Sequence, residues 1–68
     1  MDYLKLKDLI DDKSVAIDVS GNVIRVNIEL GNDKSWHEFE IDGRDEIQMA
    51  ALINTHISKM RTGKISQL

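Results

Sequence analysis

His37 and His56 are the two histidines of the chain, and imidazole is the side chain here best suited to bind a metal ion. Strand-like alternation places His37 on the same side as Phe39. About 18 Å of helix across residues 44–56 matches a strand of about 20 Å, so His56 should reach the same end. We expect the imidazoles to be neighbours. A metal ion would need a third ligand, such as Asp33, so packing and hydrogen bonding are the expected role, with no metal or cofactor.

The remaining candidates for chemistry are two adjacent pairs of carboxylates. Asp11-Asp12 is typical of the turn after a helix, and Asp45-Glu46 is typical of the first turn of one. General acid–base catalysis would need two carboxylates that converge on a pocket. The sequence also lacks a nucleophile motif and a glycine-rich phosphate loop. We therefore expect no enzymatic activity.

Composition narrows the class of protein. The 68 residues permit one domain, and the absence of cysteine excludes disulfides and Cys–His zinc sites. A net charge of −3 argues against a dedicated nucleic-acid binder, which is usually basic. Short apolar runs and the acidic start Met1-Asp2 predict a cytoplasmic protein without a membrane span or signal peptide. So small a core is often stabilised by self-association.

Five segments are expected to position the side chains. Helical spacing of apolar residues, strand alternation and glycine-containing turns distinguish the segments. Their order predicts an α+β domain, α-β-β-β-α, with a three-stranded antiparallel meander and both helices packed on one face. The compact domain should cover residues 1–63, with Gly63 ending the last helix and a flexible tail at 64–68. The predicted bounds are 3–12 and 44–61 for the helices and 14–20, 23–30 and 35–41 for the strands.

Two hairpins set the register of the predicted sheet. Gly21 and Asn22 both suit the positive φ of a two-residue hairpin turn. This turn places Val19 opposite Ile24 and Asp18 opposite Arg25. For the second hairpin we expect a four-residue loop, 31–34, which places Arg25 opposite Glu40. An arginine flanked by carboxylates on both neighbouring strands would result.

The sheet face away from the helices, here called the open face, is the candidate protein-binding surface. Alternation places the chain's single tryptophan there among carboxylates. The indole could cover neighbouring aliphatic stems, or it could anchor a protein–protein contact, since tryptophan is enriched among dominant interface residues. We expect a small regulator or inhibitor of another protein, of the kind also carried by phages and mobile elements. The candidate residues are Trp36, Glu38, Glu40, Arg25, Asp18 and Glu29.

Three alternatives remain open. The basic end of the last helix, Lys59, Arg61 and Lys64, could bind nucleic acid, or the acidic open face could imitate a phosphate array. A homodimer could form through leucines that lie off the main helical stripes, Leu4 and Leu52, together with Ala51. The element order is that of double-stranded-RNA-binding domains. However, residues 43–47 lack the lysine cluster of those domains, so we do not assign the chain to that family.

Overall fold

The computed structural model describes the backbone of residues 1–66 and the side chains of residues 1–63. One helix precedes three antiparallel strands in the sequence and a second helix follows them. The strands form a sheet in the order β1-β2-β3. The predicted α+β meander is confirmed. The bounds are Tyr3–Leu9 for α1, Ala16–Ser20 for β1, Val23–Leu30 for β2, Asp33–Glu40 for β3 and Glu46–Ser66 for α2.

The core lies between the helices and one face of the sheet. Buried residues of α1 and α2 belong to the same cluster as the inward side chains of β1 and β2, so both helices cover the same face. Val19, Phe39, Ile41 and Met60 pack against its margin. The cluster consists of Leu6, Ile10, Val15, Ile17, Ile24, Val26, Ile28, Met49, Ala50, Ile53 and Ile57.

Helix α1 begins as predicted and ends early. The carboxylate of Asp2 accepts a hydrogen bond from the Lys5 N–H at 3.2 Å, which caps the first turn. The helix stops at Leu9, although the prediction extended it to residue 12. The reason is Ile10, whose backbone is extended and whose side chain is buried in the core.

Helix α2 runs parallel to α1 and is tied to it at both ends of α1. The Asp2 N–H donates to the Glu46 carboxylate at 2.8 Å. At the other end, the Asn54 amide donates to the Leu9 carbonyl at 3.1 Å and accepts from the Asp11 N–H at 2.9 Å. Asn54 therefore satisfies backbone groups that the early end of α1 leaves without a helical partner.

The bounds of α2 differ from the prediction at both ends. Asp45 and Gln48 exchange side-chain to N–H hydrogen bonds of 2.8 and 3.0 Å, a capping box that starts the helix at Glu46. The helix continues through Gly63 to Ser66, so the predicted end at residue 61 was wrong. Glycine lowers helix propensity by about 1 kcal/mol without forbidding the helix. Of the predicted tail, residues 67 and 68 lie outside the described residues.

The first hairpin has the predicted register. Ile17 lies opposite Val26 and Asp18 lies opposite Arg25. Gly21 has a φ of +58°, whereas Asn22 was also expected to have a positive φ and does not. A turn with positive φ at its first central residue only is of the II′ kind, which matches the twist of the flanking strands. Strand β1 begins at residue 16, two residues later than predicted.

The register of the second hairpin corrects the prediction. Gly31, with a φ of +66°, and Asn32 form another two-residue turn, not the expected four-residue loop. Arg25 therefore lies opposite Glu38, not Glu40, and Val26 lies opposite His37. The shift is two residues, so the side chains of residues 35–40 keep their predicted faces.

Asn22 also holds the connection from β3 to α2. Its side-chain oxygen accepts from the Asp42 N–H at 2.9 Å, and its amide donates to the Asp42 carboxylate at 2.8 Å. Asp42 and Gly43 have φ values of +46° and +78°, the left-handed region that a sharp reversal needs. The amide of Asn22 lowers the pKa of the Asp42 carboxyl.

Candidate protein-binding face

Trp36 lies on the open face, as its alternation predicts. The residue is 47% exposed and lies opposite Asn27, in a row that continues to Ala16 on β1. With the expected four-residue loop, Trp36 would lie opposite Glu29 at one end of the sheet. The observed register places it two residues further from that end, midway along β3.

Arg25 contacts the indole from the neighbouring row. Its guanidinium carbon lies 5.1 Å from the centroid of the Trp36 ring, within the range of a cation–π interaction. Across the strands, Arg25 lies between Asp18 and Glu38. The carboxylate-arginine-carboxylate row of the prediction is therefore present, with Glu38 in the place expected for Glu40.

The open face carries a net negative charge over the described residues. In the row beside the first turn, Glu40 lies opposite Val23, and at the other end of the sheet Glu29 lies opposite Lys34. Sequence reasoning missed Lys34, because it assigned this residue to a loop. The recurrence of Gly-Asn at 31–32, after the same pair at 21–22, was the signal that could have found the correct turn. The charged side chains of the face are Asp18, Glu29, Glu38, Glu40, Arg25 and Lys34.

The two histidines are neighbours on the other side of β3, as predicted. His56 Nε2 lies 3.3 Å from His37 Nδ1, and the ring centroids are 5.0 Å apart. His37 Nε2 also lies 2.9 Å from the Ser35 hydroxyl, and the edge of Phe39 packs against His56. Each ring is thus held by hydrogen bonds and packing at the margin of the core.

The surroundings of His56 disfavour its protonated form. Burial is the largest cause that lowers the pKa of His56, followed by the charges of His37 and Lys59. No group of three or more potential ligands lies close enough to hold a metal ion among the described residues. Asp33 therefore does not complete a site with the two histidines.

A shallow groove runs between β3 and α2 beside the histidine pair. Phe39, Ala51 and Leu52 supply its apolar surface, and its volume is about 530 Å³. Leu52 is 41% exposed, and Arg44 and Lys59 add positive charge to the lining. Leu4, the other leucine of the predicted homodimer surface, is 75% exposed and belongs to α1.

The basic end of α2 is partly engaged within the chain. The guanidinium of Arg61 pairs with the carboxylate of Asp12. Asp12 also accepts from the N–H and the hydroxyl of Ser14, at 2.9 and 2.6 Å. The Ser14 hydrogen bonds are the main cause that lowers the pKa of Asp12 to about 2, and Arg61 adds to them. The side chain of Lys64 lies outside the described residues.

None of the helices over the described residues is long and apolar enough to cross a membrane. Comparison of the chain with protein-family models, curated proteins and solved structures finds no match. Function must therefore be inferred from the side chains themselves.

Proposed function

We propose that this chain is a non-catalytic binding module whose open face docks on a positively charged surface of another protein. The observation that carries the proposal is the position of Trp36, nearly half exposed and midway along the outer strand of an acidic sheet face. An indole removed from water by a partner contributes more binding energy than most other side chains. The module would act as a regulator or inhibitor by occupying its partner.

The charges around the indole define the chemistry of the partner. Glu38 and Glu40 follow Trp36 along β3, while Glu29 lies on β2 and Asp18 on β1. Such a potential speeds encounter with a basic surface and repels an acidic one. The carboxylates lie on an open sheet, not in a cleft, which supports a role in docking rather than in acid–base catalysis.

Arg25 supports the proposal by keeping the indole in place before binding. The guanidinium lies over the ring, and this contact limits the conformations that both side chains can adopt on the open face. A side chain ordered in advance loses less conformational entropy when a partner binds. We also propose a cytoplasmic location, because a secreted domain this small usually depends on disulfides and the chain has no cysteine.

The alternative role in nucleic-acid binding gains no observation in its favour. Arg61, the centre of the basic group on α2, is neutralised by Asp12. Imitation of a phosphate array by the open face would use the same carboxylates as the proposed function. Phosphate imitation makes one different prediction, because the chain would then compete with DNA or RNA for the partner's binding site.

Affinity capture from the native host tests the proposal. The wild-type chain is compared with Trp36→Ala and with a Glu38→Gln/Glu40→Gln double variant. We expect a protein with a basic contact surface to be retained by the wild type, released by rising salt and lost with both variants. Leu4→Ala, which shortens an exposed side chain of α1 away from the open face, is the matched control. The same proteins retained by all four chains would overturn the proposal.

A further inference from the structure

Among the residues that the structure describes, no strand pairs with the outer edge of β3, which is therefore a free edge. The strand comprises eight residues, Asp33–Glu40. In a two-residue hairpin the residues that flank the turn exchange both hydrogen bonds, so Asp33 and every second residue after it pair with β2. Lys34, Trp36 and Glu38 therefore direct their N–H and C=O groups toward the free edge. Such an edge is a template for another strand.

We propose that β3 pairs with β3 of a second copy of this chain, antiparallel and centred on Trp36. Two sheets of three strands would join into one of six, related by a twofold axis. Trp36 lies opposite Trp36 of the second copy, and Lys34 of each copy lies opposite Glu38 of the other. The backbone N–H and C=O groups of Lys34, Trp36 and Glu38, which point to the free edge, would form the hydrogen bonds between the two copies.

The charges of the open face are complementary in this register. Within one copy, the row Asp18-Arg25-Glu38 alternates in sign, and Lys34 lies opposite Glu29. Joining the edges extends the row from Glu38 to Lys34 and then to Glu29 of the second copy. The sign alternates at each of the four steps, and opposite charges on facing residues stabilise a sheet.

Neighbouring registers weaken this match. Sliding one copy by two residues places Glu38 opposite Trp36 and Lys34 opposite Glu40, so the pair of indoles is lost and Lys34 faces the last residue of the strand. Sliding it by four in the same direction places Glu38 opposite itself. Like charges directly opposite one another destabilise a sheet. An odd shift would turn every side chain of one copy to the wrong face.

The same pairing covers apolar surface on both faces of the edge. The indoles meet at the centre of the joined open face, where aromatic cross-strand pairs are favourable. On the helical side, the groove lined by Phe39 and Leu52 lies beside the same edge, on the flank of α2 turned away from α1. The added strand would cover it. This goes beyond the proposed function, because it creates a joined open face with two indoles.

Sedimentation equilibrium with charge reversal tests the dimer. We expect the wild type to dimerise, and Lys34→Glu or Glu38→Lys alone to raise the dissociation constant roughly tenfold or more, since each changes two symmetric contacts. An equimolar mixture of these two variants should dimerise again, because both contacts become attractive in the heterodimer. Glu40→Lys is the control, since residue 40 would lie opposite the turn residue Asn32. Circular dichroism verifies that each variant is folded.

Two results would overturn the dimer. One is a wild type that stays monomeric up to about 1 mM, far above the range of specific dimers. The other is a dimer in which the two single variants associate as well as the wild type does, or whose mixture recovers nothing. A monomer that still loses its partner with Trp36→Ala refutes the dimer alone. A dimer whose captured proteins are unchanged in that variant refutes the proposed function alone.

Discussion

The guanidinium of Arg25 lies over the indole ring of Trp36, at 5.1 Å from its centroid. This contact joins the largest apolar side chain of the open face to the charged row beside it. An exposed cation–π pair contributes about 0.5–1 kcal/mol. We expect a coupling energy of that size between Arg25→Gln and Trp36→Ala in a double-mutant cycle.

Chemical denaturation followed by circular dichroism measures this coupling. Lys34→Gln combined with Trp36→Ala is the matched cycle, because Lys34 is a cation of the same strand face without a stacking contact to the indole. A coupling energy near zero in the first cycle, or equal values in both, would show that the stacking contributes nothing to the fold.

Protonation of His56 should destabilise the fold. Its pKa is lowered in the folded chain, first by burial, so the unfolded chain takes up this proton at a higher pH than the folded chain. The contribution of neutral His56 to stability is complete above its ordinary pKa of 6.5. This contribution is lost as the pH falls through the pKa of His56 in the folded chain. The wild type should therefore lose more stability between about pH 7.5 and 5 than His56→Gln does.

Thermal unfolding across this pH range, with NMR titration of both imidazoles, tests the prediction. The charged groups that disfavour the proton are His37 and Lys59, so Lys59→Gln should raise the pKa of His56. If the wild type and His56→Gln lose the same stability as the pH falls, the predicted role of His56 is contradicted.

Asp12 should contribute to stability at neutral pH through Ser14 and Arg61. Its pKa is lowered from 3.8 to about 2, so the contribution is present above pH 3.8 and is lost as the pH falls through the folded value. Asp12→Asn should cost about 1 kcal/mol at pH 7, after allowance for screening by solvent. Denaturation at pH 7 and near pH 2 checks this, and a difference that persists unchanged at pH 2 would argue against it.

Asn22 should keep the pKa of Asp42 low through the hydrogen bond that joins the two side chains. The amide of Asn22 is the first cause of the lowered pKa of Asp42. Asn22→Ala should therefore raise that pKa toward its ordinary value of 3.8. NMR titration of the Asp42 carboxyl carbon measures the change, with Asn27→Ala on β2 as the control. An unchanged pKa of Asp42 in Asn22→Ala would show that this hydrogen bond does not lower it.

Sequence periodicity was sufficient to predict the element order, the face of each residue within the predicted strands and the approach of His37 to His56. It failed where a local choice depends on backbone conformation. Asp33 and Lys34 are polar and were assigned to a loop, but Gly31 alone provides the positive φ that a two-residue turn needs. The sequence predicts that the last helix ends at Gly63, because glycine is common just after a helix. The helix instead continues through it to Ser66, since a glycine can also lie within a helix.

Other features of the surface lie beyond what one sequence can specify. The groove beside Leu52 depends on how α2 lies across β3, which the periodicity of neither element determines. The contact of Arg25 with Trp36 is diagonal, so it depends on the register of the second hairpin. A prediction with the wrong turn could place both residues on the open face and still separate them.

The most direct test of the open face is the affinity of the captured partner for three purified chains, measured by calorimetry. We predict that Trp36→Ala weakens binding roughly thirtyfold or more, the effect of losing a dominant interface residue, while its melting curve stays close to that of the wild type. Leu4→Ala should bind within about twofold of the wild type, because Leu4 lies on α1 and away from the open face. Equal affinity of Trp36→Ala and the wild type would contradict the claim that the indole is the anchor.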